Sequence, residues 1–241
     1  MLTLRYSHFD TVTSTNDIAL DMARNGEPEG LVITADRQTK GRGRRGHTWW
    51  DECGQSVLMS ILLTPDIPPT HLSQLSFVVS LSAAECLESK CNLDASLKWP
   101  NDVLVNDKKL GGILIETIPA KHIAVAGIGI NVNQTAFPPE LSTIATSIAL
   151  ENGMCLDTSA ISRALAEAIR TNYQAYLANG FEEILDRWRK YMWGLGRLVE
   201  VASEEDAITG IIAGIGSDGA LLVDQDGELR RIIASVGITG I

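Results

Sequence analysis

The segment at residues 98–116 reads KWPNDVLVNDKKLGGILIE and contains the clearest fold signal in the chain. Pro100-Asn101 interrupts the backbone just before a short apolar strand, Val103-Leu104-Val105. Asn106-Asp107 has turn composition, because both side chains tolerate tight backbone geometry. A second strand is predicted near residues 113–117. The segment is therefore predicted to form a β-hairpin with polar residues at both ends of its strands.

Three lysines in this segment are candidates for chemistry. A lysine that precedes a glycine pair and an apolar strand can place an ammonium over a phosphate or an attacked carboxylate. Asp102 can bind a metal ion or orient such a lysine. Ordinary hairpin chemistry explains Lys108 equally well, because charged residues usually lie in solvent. It explains Lys98 and Lys109 less well, since both flank apolar strand residues.

Working upstream, residues 41–46 read GRGRRG, with Lys40 before them and Trp49-Trp50 close behind. Glycines let backbone N–H groups approach a ligand, and arginines carry forked donors that match phosphate and carboxylate oxygens. The segment lies between predicted strands at 31–35 and 56–63, which favours a loop that covers a ligand. We interpret it as a site for a phosphate-bearing anion. A solvated loop or a nucleic-acid patch are the alternatives.

Two weaker signals flank these segments. Residues 127–133 read GIGINVN, and alternating glycines in an apolar strand indicate that another group presses against the backbone. Asn131, at the end of that strand, can hydrogen-bond an adenine or a phosphate. Ser14-Thr15-Asn16 precedes a helical stretch, and helix capping explains these three residues fully on the residues alone.

Hydrophobic periodicity, caps and turns predict the other elements. Further strands are expected near 2–9 and 123–132, and residues 96–98 lead to the break at Pro100-Asn101. Helices are expected at 16–24, 72–91, 158–177 and 181–191. The helix at 72–91 is predicted to bury one face, and Thr158 or Ser159 is predicted to cap the helix at 158–177.

The character of the sequence changes after residue 193. Gly194-Leu195-Gly196 reads as a hinge, and short alternating segments separated by turns follow it. We predict a small β-barrel of four to five strands in this tail. The domains are therefore placed at 1–193 and 194–241.

Composition excludes several classes of protein. The chain has 241 residues, and its 20 basic and 30 acidic residues give a net charge of −10, which argues against a broad nucleic-acid surface. The four cysteines have no metal-ligand or redox spacing, so free thiols in a reducing compartment are expected. No signal peptide and no stretch long enough to span a membrane is visible. These features predict a cytoplasmic protein without membrane association.

The order of the motifs is specific to one family. Ser14-Thr15-Asn16, Gln38, GRGRRG, Trp49, KWPND, KKLGGILIE and GIGINVN follow one another along the chain. This combination resembles the biotin–protein ligases, the biotin–acetyl-CoA-carboxylase ligase family, in a short form without an N-terminal DNA-binding domain. The resemblance implies an α+β fold. Its central mixed β-sheet flanked by helices is similar to class II aminoacyl-tRNA synthetases, and a small SH3-like β-barrel follows at the C-terminus.

The resemblance also implies roles for individual residues, with Lys109 and Arg44 as the catalytic pair. Biotin would be bound by Ser14, Thr15, Asn16, Gln38, Gly41, Arg42, Gly43, Arg44, Lys109, Gly111, Gly112 and Leu114. ATP and the adenylate would be bound by Arg42, Arg44, Arg45, Trp49, Lys98, Asn101, Asp102, Lys109 and Asn131. Asp102 would also be near Mg²⁺.

The implied activity is ATP-dependent activation of biotin to biotinyl-5′-AMP, followed by transfer to a lysine of a biotin carboxyl carrier protein. The Ser14 motif lies close to residue 1, so neither a helix-turn-helix nor specific DNA binding is expected. His47 follows GRGRRG where the family often has a cation, which leaves the pH dependence of loop closure open. A monomer or a homodimer is expected.

Other functions were weighed against this one. A lipoate or octanoate ligase or transferase would share the fold but not the pairing of GRGRRG with KWPND. A non-catalytic biotin sensor would not need Lys109 and Arg44. An RNA-binding protein would need a more basic surface with interleaved aromatic residues.

Overall fold

Two β-sheets and the helices around them make up the structure, a computed structural model that describes residues 2–202, 207–233 and 237–240. The strands are β1 Arg5–Val12, β2 Leu31–Gln38, β3 Ser56–Leu63, β4 Ser96–Lys98, β5 Asp102–Val105, β6 Lys108–Ile118, β7 Ile123–Asn131, β8 Leu198–Ala202, β9 Ala207–Ile215, β10 Leu221–Gln225, β11 Glu228–Ile232 and β12 Gly237–Gly240. The helices are α1 Thr15–Arg24, α2 Leu75–Cys91, α3 Ile148–Asn152, α4 Thr158–Asn179 and α5 Phe181–Arg189.

The larger sheet is mixed, as predicted, with strand order β1-β2-β3-β7-β6-β5-β4. β1 and β2 are parallel, and the other neighbouring pairs are antiparallel. The predicted hairpin is β5 and β6, and its turn residues Asn106 and Asp107 both have positive φ. That conformation is typical of a two-residue turn that matches strand twist.

Helices cover both faces of this sheet. Ala19 and Ala23 of α1 pack with Ile33 and Leu62 on one face. Val32 and Ile61, which point the other way because side chains alternate along a strand, join the core cluster that contains α2. Residues of α1, the arginine-rich loop at 41–46, β6 and β7 come together beside the larger sheet.

Three local predictions for the helices were wrong. The stretch predicted as one helix from residue 72 begins as a 3₁₀ turn, Pro69–Gln74, and α2 starts at Leu75. α2 is buried over most of its circumference, because it lies between the sheet, α4 and α5. The cap of α4 is Asp157, whereas Thr158 or Ser159 was predicted. The Asp157 carboxylate accepts a hydrogen bond from Ser159 N at 2.9 Å. The short helix α3 was not predicted.

The C-terminal strands form a five-stranded antiparallel sheet with the order β11-β10-β9-β8-β12. Asp226 and Gly227 turn β10 into β11 with positive φ at both positions, as their composition predicts. This sheet contacts the larger one through Trp99, whose indole N–H donates to Gly219 O at 2.9 Å. Among the described residues, no helix is long and apolar enough to cross a membrane.

Candidate active site

A cavity of about 190 Å³ lies where the arginine-rich loop covers the middle of β6 and β7, next to the C-terminal end of β2. It brings together segments that are far apart in the sequence. Its lining residues are Ser14, Thr15, Asn16, Gln38, Arg42, Gly43, Arg44, Arg45, His47, Thr48, Trp49, Asn101, Asp102, Lys109, Gly112, Ile113, Leu114, Gly127, Ile128 and Gly129. Most of the residues singled out in the sequence therefore share one site.

The floor of the cavity is a hydrogen-bonded polar network. Gln38 Oε1 accepts from the backbone N of Thr15 at 2.7 Å and from its hydroxyl at 3.1 Å. Ser60, on β3, donates its hydroxyl hydrogen bond to Thr15 Oγ1 at 2.7 Å or to Asn16 Oδ1 at 2.6 Å. Ser14 occupies the N-cap position of α1 but its side chain makes no capping hydrogen bond. The capping interpretation of this motif was wrong, because its side chains are used in tertiary contacts.

Asn16 connects this floor to β6. Its amide nitrogen donates to Glu116 Oε2 at 2.7 Å and is 3.4 Å from Leu114 O. Asn16 is almost fully buried, so these partners replace the water that its amide would otherwise bind. The orientation of this side chain is thus determined from three directions by β3, β6 and β7.

The opposite wall is cationic. Lys109 Nζ lies 2.7 Å from Asp102 Oδ1. Asp102 therefore orients this lysine, which is one of the two roles predicted for it. Arg44 Nη1 donates to Asn101 Oδ1 at 3.3 Å. Burial, with a smaller contribution from Arg45, lowers the pKa of Arg44 from its usual value. A half-buried cation whose side-chain partner is a neutral amide is a favourable place for a ligand carboxylate or phosphate to bind.

A β-bulge directs Lys109 into the cavity. Leu104 pairs with Lys109 and Val103 with Gly111, so Leu110 is the extra residue on β6. The bulge places Lys109 on the same face as Gly112, where its Cε would lie 3.4 Å from a Cβ built on that glycine. Lys108 is exposed and lines a separate surface depression.

Two glycines of β7 allow close packing over the site. A Cβ on Gly129 would lie 2.6 Å from the indole of Trp49, and one on Gly127 would overlap the side-chain amide of Asn16. The alternating glycines therefore mark a close approach, as predicted, although the approaching groups are protein side chains.

Four predicted site residues lie outside the cavity lining. Lys98 Nζ lies 4.8 Å from the Trp193 ring centre, and burial lowers the pKa of this lysine. Asn131 is buried and donates to Thr146 O at 2.9 Å. Gly41 and Gly111 are in the backbone behind the cavity, against Trp49 and Ile130 respectively.

The sequence analysis missed Ser60, Glu116 and Asp17. Ser60 lies inside an apolar strand. The only signal in the sequence is that a polar residue stands there, next to the apolar Met59. Glu116 ends the KKLGGILIE segment but was assigned no role. Asp17 looks like an ordinary first-turn acid in α1, which favours a helix dipole role over a tertiary one.

Arg42 lines the cavity, but its guanidinium lies on two carboxylates. It donates to Asp17 at 2.6 and 3.0 Å, and to Glu116 at 3.2 and 3.3 Å. The hydrogen bond from Arg42 lowers the pKa of Asp17. The pKa of Arg42 is correspondingly raised.

The ion pair predicts a pH-dependent stability difference for Asp17→Asn. Because the folded-state pKa of Asp17 is lowered, its contribution is present above the ordinary carboxyl pKa and is lost as the pH falls through the folded-state value. Both side chains are 35% exposed, so we expect less than about 1 kcal/mol at pH 7. That corresponds to a drop in Tm of roughly 2–4 °C at most. Thermal melts of parent and variant from pH 7 to pH 3 should show the gap closing; a constant gap would contradict the assignment.

A second cavity of about 480 Å³ adjoins the first. The two share Arg44, Arg45 and Asn101, so the hydrogen bond between Arg44 and Asn101 lies at their boundary. The second cavity extends from the 3₁₀ turn before α2 to Gly219 of the C-terminal sheet.

The fold and the site define a family. Residues 8–133 match the Biotin/lipoate A/B protein ligase family, and residues 194–235 match the Biotin protein ligase C terminal domain. The chain belongs to the biotin/lipoate A/B protein ligase family.

Individual relatives include named biotin ligases. The chain is 33% identical over 231 residues to the bifunctional ligase/repressor BirA of Bacillus spizizenii, covering 94% of this chain and 71% of the relative. It is 32% identical over 231 residues to the biotin–[acetyl-CoA-carboxylase] ligase of Mycobacterium tuberculosis, covering 93% and 84%. The solved biotin protein ligase of Aquifex aeolicus in complex with biotin and ATP superposes with a TM-score of 0.88 at 31% identity, covering 98% of this chain and 99% of that one.

Proposed function

We propose that this protein is an ATP-dependent biotin–protein ligase. It activates biotin to biotinyl-5′-AMP with release of pyrophosphate and then transfers biotin to a specific lysine of a biotin carboxyl carrier protein. The observation that carries the proposal is the meeting of a polar floor, built on Thr15 and Gln38, with a cationic wall, built on Lys109 and Arg44, in one cavity. The relatives named as biotin ligases favour biotin over lipoate or octanoate.

The first step joins two anions. The carboxylate oxygen of biotin attacks the α-phosphorus of ATP, and pyrophosphate leaves. Lys109 and Arg44 offset the repulsion between the reactants and stabilise the charge that develops on the α-phosphate. Asp102 holds Lys109 in place, and Asn101 does the same for Arg44.

Mg²⁺ is part of the proposal. Asp102 is the one carboxylate among the residues that line the cavity in the described part of the chain. A single carboxylate together with substrate phosphates is an ordinary donor set for this ion. Asp102 would hold Mg²⁺, which would supply further neutralisation of phosphate charge when bound.

The second step uses a carrier protein as the partner. The neutral amine of its lysine attacks the carbonyl carbon of the mixed anhydride, and AMP leaves. The net charge of −10 gives no bulk attraction for an acidic carrier domain. Carrier recognition is therefore expected to depend on shape and on strand-edge contacts.

Biotin-dependent exchange of labelled pyrophosphate into ATP tests the function. We expect exchange with biotin and none above background with lipoate or octanoate. Exchange with lipoate or octanoate but not with biotin would support the alternative ligase, and binding of biotin without any exchange would indicate a sensor.

The arginine loop, residues 39–46, should be mobile in the free protein and ordered with biotinyl-AMP. Arg44 and Arg45 are adjacent cations, and an anion between them and Lys109 would remove their mutual repulsion. Because Arg42 is anchored, we expect the largest gain in hydrogen-exchange protection at residues 43–47. Equal protection with and without biotinyl-AMP would contradict this prediction.

Other organisational features stay predictions. A domain boundary at residues 193–194 is supported by the start of the C-terminal family match at residue 194. A cytoplasmic location is supported by the four free cysteines. A monomer or a homodimer is proposed, and specific binding to duplex DNA is not expected.

A further inference from the structure

We infer that Asp17 and Glu116 are positioning residues that hold Arg42, and through it the base of the arginine loop, so that the loop retains the biotinyl-AMP intermediate. The three residues are named here the Arg42 clasp. The inference rests on the proposed ligase activity. It assigns to Arg42 an anchoring role rather than a phosphate-binding one.

The clasp has the geometry of a bidentate ion pair. The two terminal nitrogens of Arg42 donate to both oxygens of Asp17, and Nη2 also reaches both oxygens of Glu116. A planar guanidinium matched to a carboxylate in this way gains directional as well as electrostatic stabilisation. Both terminal nitrogens of Arg42 thus donate to carboxylates, which leaves fewer of its five N–H donors for a ligand phosphate.

The clasp joins three separate elements. Asp17 is in the first turn of α1, Glu116 is on β6, and Arg42 is at the base of the loop. The loop itself is a small hairpin, because Arg42 bridges to Thr48 and Gly43 N donates to His47 O at 2.7 Å. Fixing Arg42 therefore fixes where this hairpin leaves the body of the protein.

The tip of the hairpin carries the residues that face the reactants. Arg44 and Arg45 line both cavities, and Arg44 makes its hydrogen bond to Asn101 across their boundary. If the hairpin tilted where it leaves the body of the protein at Arg42, its tip would move away from the cavity. The mixed anhydride would then be exposed to water and free to dissociate, since water exclusion depends on a closed site.

Asp17 and Glu116 differ in their other hydrogen-bond partners. Asp17 contacts Thr13 at 3.4 Å on the surface side, whereas Glu116 also accepts the amide hydrogen bond of buried Asn16. Loss of the Asp17 charge should therefore affect the loop alone. Loss of the Glu116 charge should affect both the loop and the polar floor of the cavity.

Asp17→Asn is the primary test, with Asp21→Asn as the matched control. Asp21 lies one turn further along α1 and pairs with exposed Arg24 at 2.7 Å, away from the loop. Enzyme loaded with biotin and ATP in the absence of carrier is chased with excess unlabelled biotin, and release of labelled biotinyl-AMP is followed. We expect release up to about fivefold faster in Asp17→Asn, equivalent to just under about 1 kcal/mol. The release rate should change more than the rate of adenylate formation, and Asp21→Asn should release like the parent.

Two further variants separate positioning from general destabilisation. Asp17→Glu keeps a carboxylate within reach of Arg42 and should restore most of the retention. Glu116→Gln should speed release and also raise the KM for biotin, because it disturbs Asn16. Release from Asp17→Asn that equals that of Asp21→Asn would overturn the clasp.

Hydrogen exchange distinguishes failure of the clasp from failure of the proposed function. If the parent shows no biotin-dependent exchange of pyrophosphate, the ligase proposal fails. The clasp still predicts faster amide exchange at the base of the hairpin, Thr48 and Trp49, in ligand-free Asp17→Asn than in Asp21→Asn, and unchanged exchange there would refute it independently.

Discussion

Lys109→Ala should reduce biotinyl-AMP formation by roughly two to three orders of magnitude, the usual effect of removing one donor that stabilises a transition state. Lys109 reaches the cavity because of the bulge at Leu110, and its ammonium lies 2.7 Å from Asp102. That charge interacts more strongly with the α-phosphate as it becomes pentacoordinate than with the bound reactants. The loss should therefore appear in the rate constant of the chemical step, measured by single-turnover formation of biotinyl-AMP at saturating biotin and ATP.

The same substitution should leave the fold almost intact. The Lys109 side chain is 40% exposed, and an ion pair of this kind contributes less than about 1 kcal/mol to the free energy of unfolding. Lys108→Ala is the matched control, since Lys108 precedes it on β6, is exposed and lines a different depression. Lys108→Ala should adenylate biotin at the parental rate. If Lys109→Ala forms biotinyl-AMP at a rate within a fewfold of the parent, Lys109 does not have the catalytic role proposed for it. If Lys109→Ala unfolds, Lys109→Gln takes its place in the same assay.

Gly127→Ala should damage both stability and biotin binding, although it adds a single methyl group. A Cβ at this position would overlap Asn16 and come within 2.9 Å of its Cγ, and Asn16 is held by Ser60 and Glu116. Overpacking of this kind costs about 1–3 kcal/mol of stability. Displacing Asn16 also breaks buried hydrogen bonds next to Thr15, so we expect biotin affinity to fall by tenfold or more, equivalent to about 1.4 kcal/mol or more. Thermal melts and titration with biotin measure the two effects.

A double-mutant cycle identifies the cause of the Gly127 effect. Asn16→Ala removes the atoms with which the new methyl group would collide. Gly127→Ala should therefore cost far less stability in the Asn16→Ala background than in the parent. Equal costs in the two backgrounds would show that Asn16 is not what excludes a side chain at this position.

Local sequence was sufficient for most elements of the fold. The strand at residues 56–63 has the predicted limits, because a run of mostly apolar residues bounded by turn residues has few other ways to bury itself. The turn at Asn106-Asp107 was also predictable, since its backbone conformation depends on the residues within it. The grouping of Gln38, the arginine loop and KWPND in one site followed from the resemblance of their order to a family rather than from periodicity.

Three-dimensional packing decided which way the important side chains point. An alternating strand would place Lys109 on the face of Gly111, and only the pairing of β6 with β5 creates the bulge that turns it toward Gly112 and Asp102. Ser14-Thr15-Asn16 reads as a helix cap because capping is a local interaction, whereas the partners of Asn16 are 44 and 100 positions away. Arg42 looked like its neighbours Arg44 and Arg45 for the same reason. Its carboxylate partners come from α1 and β6, and contacts between distant segments exist only once the sheet has brought their ends together.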